Sequence, residues 1–197
     1  MGKVFGLTGS IASGKSTVSN FLKECNIPIV DADIIAKEVV EIGQPAYKKI
    51  IEAFGPEIVL QNGEINRPLL GSIIFNDKEK RLQLNSIVHP EVRRVMLEQT
   101  NTYLANGESL VIMDIPLLYE SNLVHFVEKV IVVTVNEETQ LSRLMNRNHL
   151  TREEAISRIS SQIPVKEKEA RADFVIDNNG NLDETKKQVM DLLKKIK

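Results

Sequence analysis

The chain has one cysteine, Cys25, in 197 residues. A lone thiol excludes an intrachain disulfide and any multi-cysteine metal site, and it suits a reducing compartment. Net charge is also scarce. The formal balance is −2, so no global field draws the chain to nucleic acid or to an anionic membrane. Any recognition of phosphate must come from local clusters. No apolar run is long enough to span a bilayer. The first strand is expected to start at Lys3, which leaves no room for a signal peptide. Met1-Gly2 hints at myristoylation, but Gly6 stands where that motif needs Ser or Thr. Internal repeats and low-complexity tracts are missing as well. What remains is 42% hydrophobic and 26% charged residues, the profile of a globular domain, and the expected setting is the cytoplasm.

Against that background one segment stands out. Gly9-Ser10-Ile11-Ala12-Ser13-Gly14-Lys15-Ser16 fits the phosphate-loop pattern Gly-x-x-x-x-Gly-Lys-Ser. A β-rich run, Lys3 to Thr8, precedes it, and apolar residues at helical spacing follow it from Ser16 to Lys23. Strand, glycine loop and helix are the parts a phosphate cradle requires. The glycines admit close approach, and successive N–H groups point at an anion beside a helix N-terminus. Lys15 would set a cation on the β- and γ-phosphates, and the Ser16 hydroxyl would ligate Mg²⁺. The alternative is a plain glycine turn between a strand and a surface helix.

Five apolar runs read as buried strands: Val4–Thr8, Ile27–Val30, Leu110–Asp114, Val130–Val135 and Phe174–Ile176. Helical patterns separate them, which predicts an α/β fold with a parallel sheet and ligands beyond the strands' carboxyl ends. The interval from Asp31 to Ser109 far exceeds a simple crossover. Helical patterns at Ile34–Val40, Ala46–Phe54, Pro68–Phe75 and Lys78–Leu104 fill it, broken by turns at Gly43, Gly55-Pro56 and Asn62-Gly63. The expected organisation is a core of 1–31, 108–136 and 172–197, a helical insertion over about 32–107 and a second, charge-rich helical insertion over about 137–171. The terminal segment from Leu182 is amphipathic, and its closing lysines match a helix dipole.

Several residues near strand ends could carry chemistry. Period-2 geometry puts Asp31 and Asp33 on one face while the segment stays extended. Asp33 is either a proton acceptor or the cap of the next helix. Asp114 ends an apolar strand, the place of a carboxylate that holds Mg²⁺ through water, or it is an ordinary strand end. Arg143 and Arg147 share a helix face, with Arg152, Arg158, Lys166 and Arg171 beyond them. They form either a lid over transferring phosphate or a solvated surface offset by Glu137, Glu138, Glu153 and Glu154. Arg67 is a candidate phosphate ligand or a surface residue. His89-Pro90 reads as a helix start with proline at its first position. His125 and His149 have no metal partners at ligand spacing.

In this order the motifs resemble the dephospho-coenzyme A kinase family over nearly the whole chain. The likeness runs through Gly6-Leu7-Thr8-Gly9 and the loop, Asp31-Ala32-Asp33, Asn66-Arg67 and His89-Pro90. It continues through Asp114-Ile115-Pro116-Leu117-Leu118-Tyr119-Glu120 and the segment Gln140 to Asn148. Arg158-Ile159 with Gln162, and Ala172 to Asn178, complete it. The resemblance implies ATP-dependent phosphorylation of the ribose 3′-hydroxyl of dephospho-CoA, the last step of CoA synthesis. It implies a five-stranded parallel P-loop kinase core, a helical substrate-binding insertion and a helical lid. Gly9 and Ala12, Ser13, Gly14, Lys15, Ser16 and Thr17 would bind ATP, with Arg147 from the lid and Asn178 near adenine. Lys15, Asp33 and Arg143 would be catalytic, Asp33 as the base. Asp33, Arg67, His89, Leu117 and Leu118 would meet the acceptor, and Ser16 and Asp114 would hold Mg²⁺. The implied partners are ATP and dephospho-CoA, with no nucleic acid or membrane, and the expected state is a monomer. Ser10 departs from the family, which often has a second glycine there. A switch GTPase would need an Asn-Lys-x-Asp signature, which is missing, and the sole Asp-x-x-Gly, Asp177 to Gly180, comes too late. A kinase of a nucleoside monophosphate or another small metabolite would share the core pattern.

Overall fold

The computed structural model describes residues 2–196. Strand β1 (Lys3–Gly9) leads through the loop to helix α1 (Lys15–Glu24) and strand β2 (Ile29–Asp31). Helices α2 (Ala32–Glu38), α3 (Pro45–Phe54), α4 (Arg67–Asn76) and α5 (Lys78–Ala105) follow. Then come β3 (Leu110–Asp114), β4 (Lys129–Thr134), α6 (Glu137–Asn148), α7 (Arg152–Ser160), α8 (Val165–Ala170), β5 (Phe174–Asp177) and α9 (Leu182–Ile196). The chain divides into two compact units, residues 1–30 with 100–197, and residues 31–99.

The five strands form one parallel sheet in the order β2-β3-β1-β4-β5. β1 is central because its residues are apolar or small on both faces. Phe5 and Leu7 are buried, and all five residues of β3 are buried beside it. The register sets Leu7 opposite Asp114 and Gly9 opposite Val133. The chain leaves β1 with β3 on one side and β4 on the other. A crevice opens at such a reversal of strand order, and the loop after β1 runs into it. Val18 and Leu22 of α1 and Val189, Leu192, Leu193 and Ile196 of α9 close the core over Ile112, Ile131, Val133 and Ile176. The terminal segment from Leu182 is thus a packed helix.

In the unit of residues 31–99, Ile50, Phe54, Ile58, Ile65 and Leu70 form a separate core, with Leu84, Ile87 and Val88 of α5 against it. Two expectations fail here. Asp31, not Asp33, caps α2: its carboxylate accepts the N–H groups of Asp33 and Ile34 at 2.9 and 3.1 Å. The extended segment ends at Asp31, so Asp33 lies in the first helical turn and the two aspartates do not share a strand face. His89-Pro90 starts no helix. Pro90 lies inside α5, a helix of 28 residues. Proline removes the bond to the carbonyl four residues back. That carbonyl belongs to Ser86, on the exposed side of α5, where it is open to solvent, and the helix continues.

The helices after β4 are tied to the turn after β3 at their far end. Lys168 of α8 is fully buried, and its ammonium lies 2.7 Å from Glu120 Oε1 in the turn after β3. The same oxygen accepts the Ile163 N–H at 3.2 Å. Next to it the Arg171 guanidinium sits 4.3 Å above the centroid of Tyr119, a cation–π contact that packs the end of α8 onto the turn after β3. Burial raises the Tyr119 hydroxyl above its ordinary pKa, more than the nearby Arg171 lowers it. Breaking a buried ion pair strands the remaining charge. Lys168→Met is therefore expected to cost about 3 kcal/mol, the lower end of the range because Glu120 retains some solvent contact. The double variant Lys168→Met/Glu120→Gln is expected to recover part of that loss in urea unfolding. Equal stability of Lys168→Met and the unaltered chain would show that the pair contributes nothing.

Candidate active site

The loop is built by close backbone approach. A Cβ on Gly9 would lie 2.5 Å from Ser13 Oγ and 2.8 Å from the Val133 carbonyl oxygen, so only glycine lets the loop fold back against β4. Ser13 N–H donates to the Ser10 carbonyl at 3.0 Å and closes the turn. Ala12 at φ 60° and Gly14 at φ 85° take left-handed angles, and Gly14 then opens α1 as its N-cap. Ser10, the departure from the family pattern, is not among the residues with positive φ, so its side chain meets no backbone strain. Ser13 is buried, and its carbonyl accepts a side-chain bond from Asn178.

Neighbouring side chains fix this loop. The Asn178 amide donates to the Ser13 carbonyl at 2.9 Å and accepts the Thr185 hydroxyl at 2.9 Å. Asn178 is thereby a strut under the loop as well as a wall of the cleft. Gln140 of α6 donates to the Ile11 carbonyl, and Gln162 accepts the Ile11 N–H, each at 2.8 Å. The two glutamines stood in the sequence motifs without a role. A buried glutamine on the inner stripe of α6, four residues before the buried Leu144, was the available signal.

The Lys15 ammonium is ion-paired with the buried carboxylate of Asp114. The register that sets Leu7 opposite Asp114 brings the end of β3 to the start of α1. Beyond this pair opens a cleft of about 1080 Å³, lined by Ala12, Gly14, Ser16, Thr17, Arg143 and Arg147 together with the 178–183 turn. Arg143 and Arg147 reach it together from one face of α6. Arg143 Nη2 donates to the Asn178 carbonyl at 3.0 Å, and Arg147 Nε to Asn148 Oδ1 at 2.9 Å. Leu182, 63% exposed, adds an apolar wall that periodicity had assigned only to a helix. Six of the expected ATP-site residues, Ala12, Gly14, Ser16, Thr17, Arg147 and Asn178, therefore line one space with Arg143, while Gly9, Ser13 and Lys15 are not part of its lining.

The expected acceptor residues are more scattered. Arg67, first in α4, donates from Nη2 to the Lys37 carbonyl at 3.1 Å and lines a cavity of about 590 Å³ with Val40, Ile42, Leu60, Glu64 and Ile65. His89 lies on α5 and does not line that cavity. The protein mass around His89 disfavours the imidazolium, Arg93 adds a like charge, and the ring stays below its ordinary pKa. Asp33 is exposed in the first turn of α2. Leu118 corrects an expectation. It is wholly buried, a Cβ on Gly6 would lie 2.9 Å from its Cδ2, and it packs the sheet instead of meeting a ligand. Leu117 beside it is 42% exposed.

A phosphate loop after the central strand of a parallel sheet, with a lysine at its end and arginines across the cleft, defines a P-loop kinase. The comparisons narrow this class. The family model described as dephospho-CoA kinase matches residues 3–184. A dephospho-CoA kinase of Bacillus cereus is 56% identical over 191 residues, covering 97% of this chain and 96% of the relative. A solved protein of Thermus thermophilus superposes with TM-score 0.83 at 32% identity, over 100% of this chain and 98% of its own. A solved dephospho-CoA kinase of Campylobacter jejuni gives 0.77 at 31%, with the same coverage. The chain belongs to the dephospho-CoA kinase family, whose reaction is the last step of CoA biosynthesis. No helix among the described residues is long and apolar enough to cross a membrane.

The cap assignment is testable apart from activity. Asp31→Ala is expected to lower stability by about 1 kcal/mol, whereas Asp31→Asn keeps an acceptor and costs a few tenths. Asp33→Asn leaves the cap intact and is expected to move the melting temperature little. A larger loss in Asp33→Asn than in Asp31→Ala would reverse the assignment.

Proposed function

We propose that this kinase moves the γ-phosphoryl group of ATP to the ribose 3′-hydroxyl of dephospho-CoA. The observation that carries the reading is the single cleft in which the loop, Ser16, Arg143 and Arg147 meet, in a chain of this family. Phosphoryl transfer has a loose transition state, so positioning and charge neutralisation supply most of the acceleration. The loop N–H groups from Ala12 to Thr17 hold the ATP phosphates, and the 178–183 turn with Leu182 receives the base. Lys15 exchanges Asp114 for phosphate oxygen. Arg143 and Arg147 neutralise charge from the α6 side, and α6 to α8 act as the lid that excludes water as a competing acceptor.

The site has the donors that Mg²⁺ prefers, a Ser16 hydroxyl open to the cleft and the Asp114 carboxylate at the end of β3. Ser16 would hold the ion directly and Asp114 through water. When bound, the ion would supply neutralisation of phosphate charge. Arg67 and His89, in the helical unit of residues 31–99, bind the acceptor. Asp33 takes the proton of the 3′-hydroxyl. Two features outside the cleft complete the reading: the free thiol of Cys25 suits a reducing cytoplasm, and a net charge near zero suits small-molecule partners.

ADP release measured by coupled assay is expected to require dephospho-CoA and Mg²⁺. AMP, CMP, shikimate and water are expected to give a small fraction of that rate. Equal release with AMP, or with no acceptor, would overturn the assignment.

Asp33→Asn keeps side-chain size and removes the proton acceptor. Single-turnover transfer is expected to fall roughly 10²- to 10⁴-fold while ATP affinity and melting temperature hold. Because Asp31 is the helix cap, a drop in rate cannot be attributed to loss of the cap. A transfer rate equal to that of the unaltered enzyme would remove Asp33 from the chemistry.

A further inference from the structure

We infer that Gln140 and Gln162 are positioning residues for nucleotide binding: together they clamp the peptide groups of Ile11 and so set the shape of the phosphate loop from the side of the lid. Ile11 is the third residue of the loop, directly before Ala12 with its left-handed backbone. Its N–H donates to Gln162 Oε1 and its carbonyl accepts from Gln140 Nε2, both at 2.8 Å. The polarity is complementary, with a side-chain oxygen for the amide proton and a side-chain N–H for the carbonyl. Gln140 is 2% exposed, so its bond is made away from competing water.

The connectivity gives the clamp its meaning. Gln140 stands one turn before Arg143 on α6, so the element that grips the loop also carries the cation facing the cleft. Gln162 follows α7, and the next residue, Ile163, is anchored by Glu120. The loop is held between two points of one segment whose far end is fixed by the Lys168–Glu120 pair. Movement of α6 away from the loop must break the bond to Ile11. Nucleotide affinity and the position of α6 are therefore coupled through this residue. On the opposite flank, Asn178 holds Ser13. Ala12 and Gly14, the left-handed positions that aim the N–H groups, lie between these supports.

This inference rests on the reading of the cleft as the ATP site. The test is titration calorimetry with ATP and ADP on the full chain, beside initial rates with ATP or dephospho-CoA varied. The variants are Gln162→Leu, Gln140→Leu and the double variant. Each single substitution removes one hydrogen bond to the loop, and about a tenfold loss of ATP affinity is expected. The Michaelis constant for ATP should rise in parallel while that for dephospho-CoA stays within about twofold of the unaltered enzyme. Both side chains act through one residue, so the double variant should lose about 10- to 30-fold rather than the product of about 100-fold.

Gln162 is only half-buried, so Gln162→Leu decides the matter if Gln140→Leu fails to fold. Unchanged ATP affinity in folded Gln162→Leu would overturn the clamp. So would equal rises in both Michaelis constants, or multiplicative losses in the double variant. Failure of the unaltered chain to bind ATP at all would instead overturn the reading of the cleft.

Discussion

The site depends on one close approach, that of Gly9 to the Val133 carbonyl and to Ser13. β1 can turn back into a loop only because nothing projects from Gly9 toward β4. The register follows from burial on both faces of β1, and the register in turn brings Asp114 level with Leu7 and within reach of Lys15. A side chain at position 9 would push the loop off β4, and every N–H group aimed by Ala12 and Gly14 would move with it. The fit of β1 against β4 and the shape of the loop thus meet at one residue.

The sheet was legible because parallel strands buried on both faces read as continuous apolar runs. Leu110–Asp114 is found with the expected bounds, and the other four strands shift by one or two residues at their ends. The phosphate loop was legible because its glycines and lysine are tied to a fixed spacing. Where local rules competed, the pattern was ambiguous. Asp31 and Asp33 both suit a cap, and the choice depends on where the strand stops being extended, which no spacing reveals. Pro90 obeys a rule about first turns, but the packing of Leu84, Ile87 and Val88 keeps α5 continuous past it. Leu118 sat in a motif and was read as a binding residue, whereas the contact that buries it is with Gly6, more than a hundred positions away. Contacts of that range leave no local trace. The same holds for Gln140 and Gln162, which lie far from Ile11 in sequence.

Buried charge in the first unit is paired wherever it occurs near the cleft. Lys15 rests on Asp114, and Lys168 on Glu120. These pairs serve different ends. The Lys168 pair joins α8 to the turn after β3, where its loss would strand a charge in a closed packing. The Lys15 pair faces the loop, where phosphate oxygens can replace the carboxylate at little net cost, because one anionic partner is exchanged for another. Asp114 thereby keeps the ammonium oriented near the loop, and under the proposed function less ordering would remain to be done on nucleotide binding.

The supports of the loop are neutral. Gln140, Gln162 and Asn178 are amides, and each bonds a backbone group of Ile11 or Ser13. Amides can do this work because a peptide needs both a donor and an acceptor, and glutamine and asparagine offer both. A carboxylate under the loop would hold the N–H groups as firmly, but it would repel the phosphates across a few ångströms of low-dielectric protein. A lysine or arginine there would hold the carbonyls, and it would also attract the phosphates to the wrong side of the loop. Neutral struts leave the field in the cleft to the N–H groups, Lys15 and the two arginines of α6. The separation of scaffold from charge explains why the residues that shape the loop carry no signature of phosphate chemistry, and why only their geometry reveals them.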